Sequence, residues 1–287
     1  GENGRPRGWR VRLCCRGRPL AASDELRSVA LEVHGLAHGG RVELTALLLP
    51  PAFAVVCWGL GVNGGDSSAV SEQLRDGVVS VCGTSDTFGG AFAALTEAGS
   101  VVTWGTPGWG GDSSAVSEQL AAGVVSITSS TGAFAALTEG GAVVPWGHAG
   151  RGGDATRVGW QLQSGIVKIF SNAYAFAALK ADGSLVVWGN PEFGGDVSGA
   201  GDQLRSDVIT VCSGGHAFAA LKAGGAVVTW GHAALGGDAG SAAARCAEGV
   251  ASVCSSGNAF AALRRDGAVV VWGDPDCGGD ASEVSDR

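Results

Sequence analysis

Six aspartates, Asp66, Asp112, Asp154, Asp196, Asp238 and Asp280, each stand eight residues after a tryptophan: Trp58, Trp104, Trp146, Trp188, Trp230 and Trp272. Carboxylates repeated at one structural position gather into a ring, and such a ring can hold a cation or a basic partner. The same aspartates can instead accept a backbone N–H from the segment that follows, and Asp66 and Asp112 both precede Ser-Ser. Capping accounts for every copy without a ligand. All twelve residues are therefore expected to be structural, with no metal and no cofactor.

The other chemistry-bearing residues lead the same way. His148 and His232 lie two positions after their tryptophans, where other copies have Leu60, Thr106, Asn190 and Asp274. Such variation suits an exposed loop more than a ligand set. Asp274-Pro275-Asp276 opens like a calcium loop, but Gly278 and Ser285 fall at its fifth and twelfth places, where oxygen ligands are needed. The only lysines, Lys168, Lys180 and Lys222, follow no P-loop glycines, and neither a nucleophile elbow nor a zinc-protease motif occurs. Catalysis needs a unique constellation, whereas this chain places its polar residues in copies. No catalytic residue is expected, and the protein reads as a non-enzyme.

The elements that must position these residues form a repeat. Phe92, Phe134, Phe176, Phe218 and Phe260 recur at a constant step, and each copy runs GVVSV, a turn, AFAAL, a glycine turn, VVxWG, then GGD and a segment ending near QL. A fixed period of this length signals one supersecondary unit used many times. GVVSV and VVxWG are short and β-branched, hence strands. Asp182-Gly183 and Asp266-Gly267, followed at once by valine runs, mark hairpins that pair AFAAL with VVxWG. The post-aspartate segment reads as a helical turn or a loose fourth strand. The expected fold is all-β, a β-propeller of about six blades: five full units plus a degenerate first one, each blade three- to four-stranded and antiparallel. Alanine-rich AFAAL is expected innermost, where sheets crowd an axis, with each tryptophan wedged between neighbouring sheets. Residues 1–38 form a non-repeat segment, expected to be disordered, and 39–287 the repeat domain.

Composition narrows the partner. The net charge is −8, yet residues 1–20 carry six arginines against Glu2, so the repeat body is acidic. Phosphate-tracking needs basic contacts, which argues against nucleic acid as the body's partner. Leu44–Trp58 is uncharged but short and broken by Pro50-Pro51, so no membrane span is expected. Cys82, Cys212 and Cys254 share a position with Thr128 and Phe170, which makes it a packing site rather than a bridge. Scattered free thiols suit a reducing, intracellular compartment, cytoplasmic or nuclear. The chain has no Met, even at position 1, and reads as trimmed or incomplete.

Side chains two to five places past each tryptophan vary among copies, as a recognition rim would. Thr106, Trp109, His148, Arg151, Asn190, Phe193, His232, Leu235 and Asp274 are the expected partner-binding residues, with Trp109 and Phe193 aromatic at the same loop place.

At Val102-Thr103-Trp104-Gly105, Gly110, Val124–Ile127 and Ala136-Leu137 to Gly141, and again in later units, the chain resembles the repeats of the regulator of chromosome condensation family. The resemblance covers about residues 52–280. It departs where Ala133-Phe134 and its copies replace the family's His-Ser/Thr pair, and where Gly110-Gly111-Asp112 replaces its Gly-Gln-Leu-Gly loop. The resemblance implies a propeller that binds proteins, and the chain is expected to act as a monomeric interaction scaffold. It also implies two alternatives: nucleotide exchange on a small GTPase, or recruitment of substrates to a ubiquitin ligase.

Overall fold

The computed structural model describes residues 14–15, 18–19, 54–57, 61–86, 89–197 and 199–281. Two units are distinguished, Gly1–Ala52 and Phe53–Arg287. In the first, strands β1 (Cys14–Cys15) and β2 (Arg18–Pro19) pair antiparallel. Among the described residues the second is built from five three-stranded antiparallel sheets. These are β3 (Val78–Asp86), β4 (Gly89–Thr96) and β5 (Val101–Gly105); β6 (Val124–Ser129), β7 (Ala133–Thr138) and β8 (Val143–Gly147); β9 (Ile166–Ser171), β10 (Ala175–Lys180) and β11 (Leu185–Gly189); β12 (Val208–Ser213), β13 (Ala217–Lys222) and β14 (Val227–Gly231); and β15 (Val250–Ser255), β16 (Ala259–Arg264) and β17 (Val269–Gly273).

The sheets are propeller blades, and the AFAAL strand lies in the middle of each, not innermost. The first strands are innermost: β3, β6, β9, β12 and β15 touch in succession. Hydroxyl bonds join them, Ser129 Oγ to the Gly83 carbonyl, Ser171 Oγ to Ser129 and Ser255 Oγ to Ser213. Alanine is needed in the middle for a different reason. In β7, Ala133, Ala135 and Leu137 face the next sheet, and they pack with its Phe176 and Trp188. Phe134 and Ala136 face back onto Ala91 and Ala93 of β4. One face is small and the other large, so identical units nest. The alanines relieve no crowding at an axis; they receive the neighbour's rings.

Each ring pair is a cross-strand pair. Phe134 opposes Trp146 in the register of β7 and β8, and the rings stack at 5.1 Å. Trp104, Trp146, Trp188, Trp230 and Trp272 are all buried. Each indole donates to a carbonyl one repeat upstream, Trp146 Nε1 to Gly110 and Trp188 Nε1 to Gly152. Trp58 lies outside the described residues. Of the degenerate first unit, residues 54–57 take the outer-strand place: Val55 N donates to Leu74 O at 3.0 Å, as Val101 N does to Leu120 O.

Among the described residues no fourth strand follows β5, β8, β11, β14 or β17; short 3₁₀ turns occupy its place. The aspartates organise this stretch. Asp66, Asp112 and Asp154 accept the backbone N–H of Ser68, Ser114 and Thr156, and Asp238 that of Gly240. Asp196 and Asp280 open the same segment and are also engaged. Among the described residues no three His, Cys, Asp or Glu side chains converge as a metal ion requires.

These bonds carry a pH consequence. The N–H groups of Ser68, Ser114 and Thr156 hold the carboxyls of Asp66, Asp112 and Asp154 below the ordinary aspartate value. A depressed folded value stabilises above the unfolded value, and that stability is lost as the pH falls through the folded one. The thermal midpoint should therefore decline below about pH 4. An Asp66→Ala/Asp112→Ala double variant should melt below the wild type at pH 7 and converge with it near pH 2.5 in a differential scanning series.

Candidate functional site

Two sets of loops meet at one end of the sheets. The first follows each Trp-Gly. There the chain turns through a short 3₁₀ segment, such as Pro107–Trp109 or Ala149–Arg151, and leaves it at a left-handed glycine. The glycine is required at Gly110, whose φ is +97° and where a Cβ would lie 2.6 Å from the Phe134 ring. The second set joins the inner to the middle strand and includes Thr131, Tyr174, His216 and Asn258.

A buried polar residue ties the two sets together. Thr84, Ser130 and Asn172 are buried at one repeat position, just past β6 and β9 and within the longer β3. Thr84 Oγ1 donates to the Trp109 carbonyl, Ser130 Oγ to Arg151, and Asn172 Nδ2 to Phe193 at 2.6 Å. Each also accepts from the start of its own middle strand, as Asn172 Oδ1 does from Tyr174 and Ala175. Ser256 repeats the tie to Cys277. The backbone of each tip residue is thereby fixed while its side chain is left to vary.

The tips join into rows of rings. Trp109 and His148 lie 5.0 Å apart. Arg151 places its guanidinium carbon 4.8 Å above the Tyr174 ring, a cation–π contact, and its Nη1 donates to Thr131 Oγ1. Tyr174 packs on Phe193 at 4.5 Å, and both touch His216. Phe193 stacks on His232 at 5.8 Å. His216 Nδ1 lies 3.0 Å from Asn258 Oδ1, and His232 Nε2 lies 4.0 Å from Glu192. These rings are half-buried, so they hold one another in place and still present area to solvent.

Of the nine residues expected on the rim, Trp109, His148, Arg151, Phe193 and His232 enter these rows. Asn190 and Asp274 act within their own loops, and Thr106 reaches the start of β4. Thr106 Oγ1 accepts from Gly90 N, and Asn190 and Asp274 accept from the N–H of Glu192 and Asp276. Leu235 ends its 3₁₀ turn half-buried. Tyr174 and His216 escaped the sequence reading because they belong to the other loop set. One signal was there: Tyr174 is the only tyrosine of the chain, placed just before AFAAL.

Three ring nitrogens on the rim, Trp109 Nε1, His148 Nδ1 and His232 Nδ1, have no hydrogen-bond partner within the protein. A shielded polar nitrogen without a partner carries a desolvation cost of about 1–3 kcal/mol. The rim thus combines aromatic area, a guanidinium and unsatisfied ring nitrogens on an otherwise acidic body.

No helix among the described residues is long and apolar enough to cross a membrane. No protein-family model matches the chain. No curated protein matches it either. Solved structures do. The yeast Prp20p of Saccharomyces cerevisiae, described with its binding to Gsp1p and histones, aligns at 16% identity and TM-score 0.45 over 78% of this chain and 67% of that one. Human WBSCR16 aligns at 20% and 0.43 over 68% and 61%. The ectodomain of the Physcomitrella patens receptor kinase CR4 aligns at 15% and 0.43 over 68% and 52%. The chain spans about half to two thirds of the length of these three proteins.

Proposed function

We propose that this chain is a non-catalytic propeller scaffold that binds a protein partner through the rim of Trp109, His148, Arg151, Tyr174, Phe193, His216 and His232. The observation that carries this reading is the division of labour within each repeat. The backbone of the loop tip is tied down by a buried hydroxyl or amide, whereas the side chain it displays differs from copy to copy. Aromatic and arginine side chains held rigidly on one surface give contact area at low ordering cost, which is how interface hot spots work. A thiol at Cys82 pushed up to about 12 by burial is inert, so it adds no competing chemistry. Free cysteines Cys57, Cys82, Cys212, Cys246, Cys254 and Cys277 agree with an intracellular setting.

The experiment compares captured proteins. Immobilised wild type and a Trp109→Ala/Arg151→Ala/Phe193→Ala variant are exposed to the same cell extract, alongside Trp160→Ala, which removes an exposed indole away from the rim. Partners retained by the wild type and by Trp160→Ala are expected to fall at least tenfold on the rim variant, a loss of about 1.4 kcal/mol or more. Equal capture by the rim variant would end the reading.

A further inference from the structure

The outer strand of each blade has an open side, because among the described residues no fourth strand pairs with it. Register decides which backbone groups face that side. Between β13 and β14, Lys222 N donates to Ala226 O and His232 N to His216 O, so the hydrogen-bonded pairs between those ends are Ala220–Val228 and Phe218–Trp230. Val227, Thr229 and Gly231 therefore turn their N–H and C=O groups outward. The same reasoning, from Lys180 N to Ser184 O and Asn190 N to Tyr174 O, turns Leu185, Val187 and Gly189 of β11 outward.

Three of the five outer edges are already engaged or blunted, each in its own way. In β5 the outward Val101 N donates to Leu120 O at 2.9 Å. In β8 the place of Thr229 is held by Pro145, which has no N–H to offer. In β17 the outward carbonyl of Val269 receives Arg245 Nη2 at 3.2 Å. Edges β11 and β14 have none of these. Among the described residues the outward groups of Val187 and Thr229 meet no hydrogen-bond partner. A recess runs along each strand, about 400 Å³ beside β11 and about 580 Å³ beside β14. Asp196 and Asp238 line the recess at β14, and no basic side chain does. At β11 the carboxylates of Asp154 and Asp196 share the lining with Arg157.

We propose that the outer edge of β14 binds an extended basic peptide segment, which pairs with it as a fourth strand. Main-chain bonds to the outward groups around Thr229 give the pairing, and the carboxylates of Asp196 and Asp238 select arginine or lysine at alternate positions, which share one face of a strand. Arg245 on Val269 shows the same chemistry inside the chain, a guanidinium settled on the outward side of an outer strand. Charge complementarity favours this occupant over an acidic segment, since the repeat body is acidic and the β14 recess has no cation in its lining. Arg157 makes β11 the weaker copy. The surface is separate from the rim, none of whose ring and arginine residues lines either recess.

The probe is a capped peptide of three Arg-Val repeats, titrated into the isotope-labelled full chain to about 1 mM and followed by amide resonances. The amides of β14 are expected to shift first, and those of β11 only at higher concentration. Thr229→Pro removes an outward N–H where Pro145 shows that a blade accepts proline, so it should keep its circular dichroism and bind at least about tenfold more weakly. Asp196→Asn/Asp238→Asn keeps an oxygen for the Gly240 N–H and should weaken binding while flattening its dependence on salt. Peptides with Glu in place of Arg, or N-methylated at alternate residues, should not bind. The proposal is overturned by an absence of shifts, by shifts confined to the rim, by equal binding of either altered peptide, or by a Thr229→Pro chain that binds as the wild type does.

Discussion

Gly153→Ala is expected to destabilise the repeat body by about 3 kcal/mol or more, although it adds a single methyl group. A Cβ at Gly153 would overlap the carbonyl group of Gly147 and lie 2.9 Å from the His148 nitrogen. These are backbone atoms and have no rotamer through which to withdraw. The crossing cannot simply widen, because Gly153 N donates to His148 O at 2.9 Å, and the adjoining Gly152 carbonyl receives the Trp188 indole. Opening the loop thus breaks the tie between two sheets. Against a typical stability of about 5–15 kcal/mol, one such substitution removes a large share. Gly159→Ala is the control, since a Cβ there meets nothing within 4 Å and its φ is not positive. It should be neutral or stabilise by about 0.4–1 kcal/mol. Urea midpoints at a common slope decide: similar midpoints for the two variants would refute the packing account.

Some of this was readable before any fold was in view. Three strands per unit follow from β-branched runs and hairpin glycines, and Gly183 and Gly267 indeed take φ of +81° and +88°. The capping of Asp112 onto Ser114 is a local event, and local events are what sequence encodes most directly. The order of strands across the sheet is not local. AFAAL placed at the axis and AFAAL placed in the middle have the same composition, and only the alternation of Ala135 against Phe134 shows that one face must receive another unit's rings. The rim divides the same way. Residues after each tryptophan were visible as one variable column, whereas Tyr174 and His216 come from a second loop brought alongside by the sheet. Thr84, Ser130 and Asn172 were missed because three different side chains do one job, which hides the column from any search for identity. The sequence after each aspartate fits either a helical turn or a fourth strand, and among the described residues it forms 3₁₀ turns.

The same substitution made at equivalent places should have unequal effects. Phe176→Ala is expected to cost about 3–5 kcal/mol, and Phe92→Ala clearly less. Phe176 is fully buried; it stacks on Trp188 at 5.1 Å, and the alanines of β7 cover its other side. Removing the ring leaves a void between two rigid sheets that cannot close without moving a whole blade. Phe92 keeps its own tryptophan at 5.4 Å but borders an open recess, so less packing is there to lose. The difference extends to cooperativity. In a row of units held by nearest-neighbour interfaces, stability is a sum over interfaces, and weakening an inner one divides the row. Phe176→Ala should therefore broaden the calorimetric transition or split it in two, with faster amide exchange first in β7 and β10, which line the damaged interface. Phe92→Ala should leave one sharp transition and speed exchange only in β3–β5. Equal losses at the two sites, with unchanged cooperativity in both, would mean that the sheets do not derive their order from the nesting of rings against alanines.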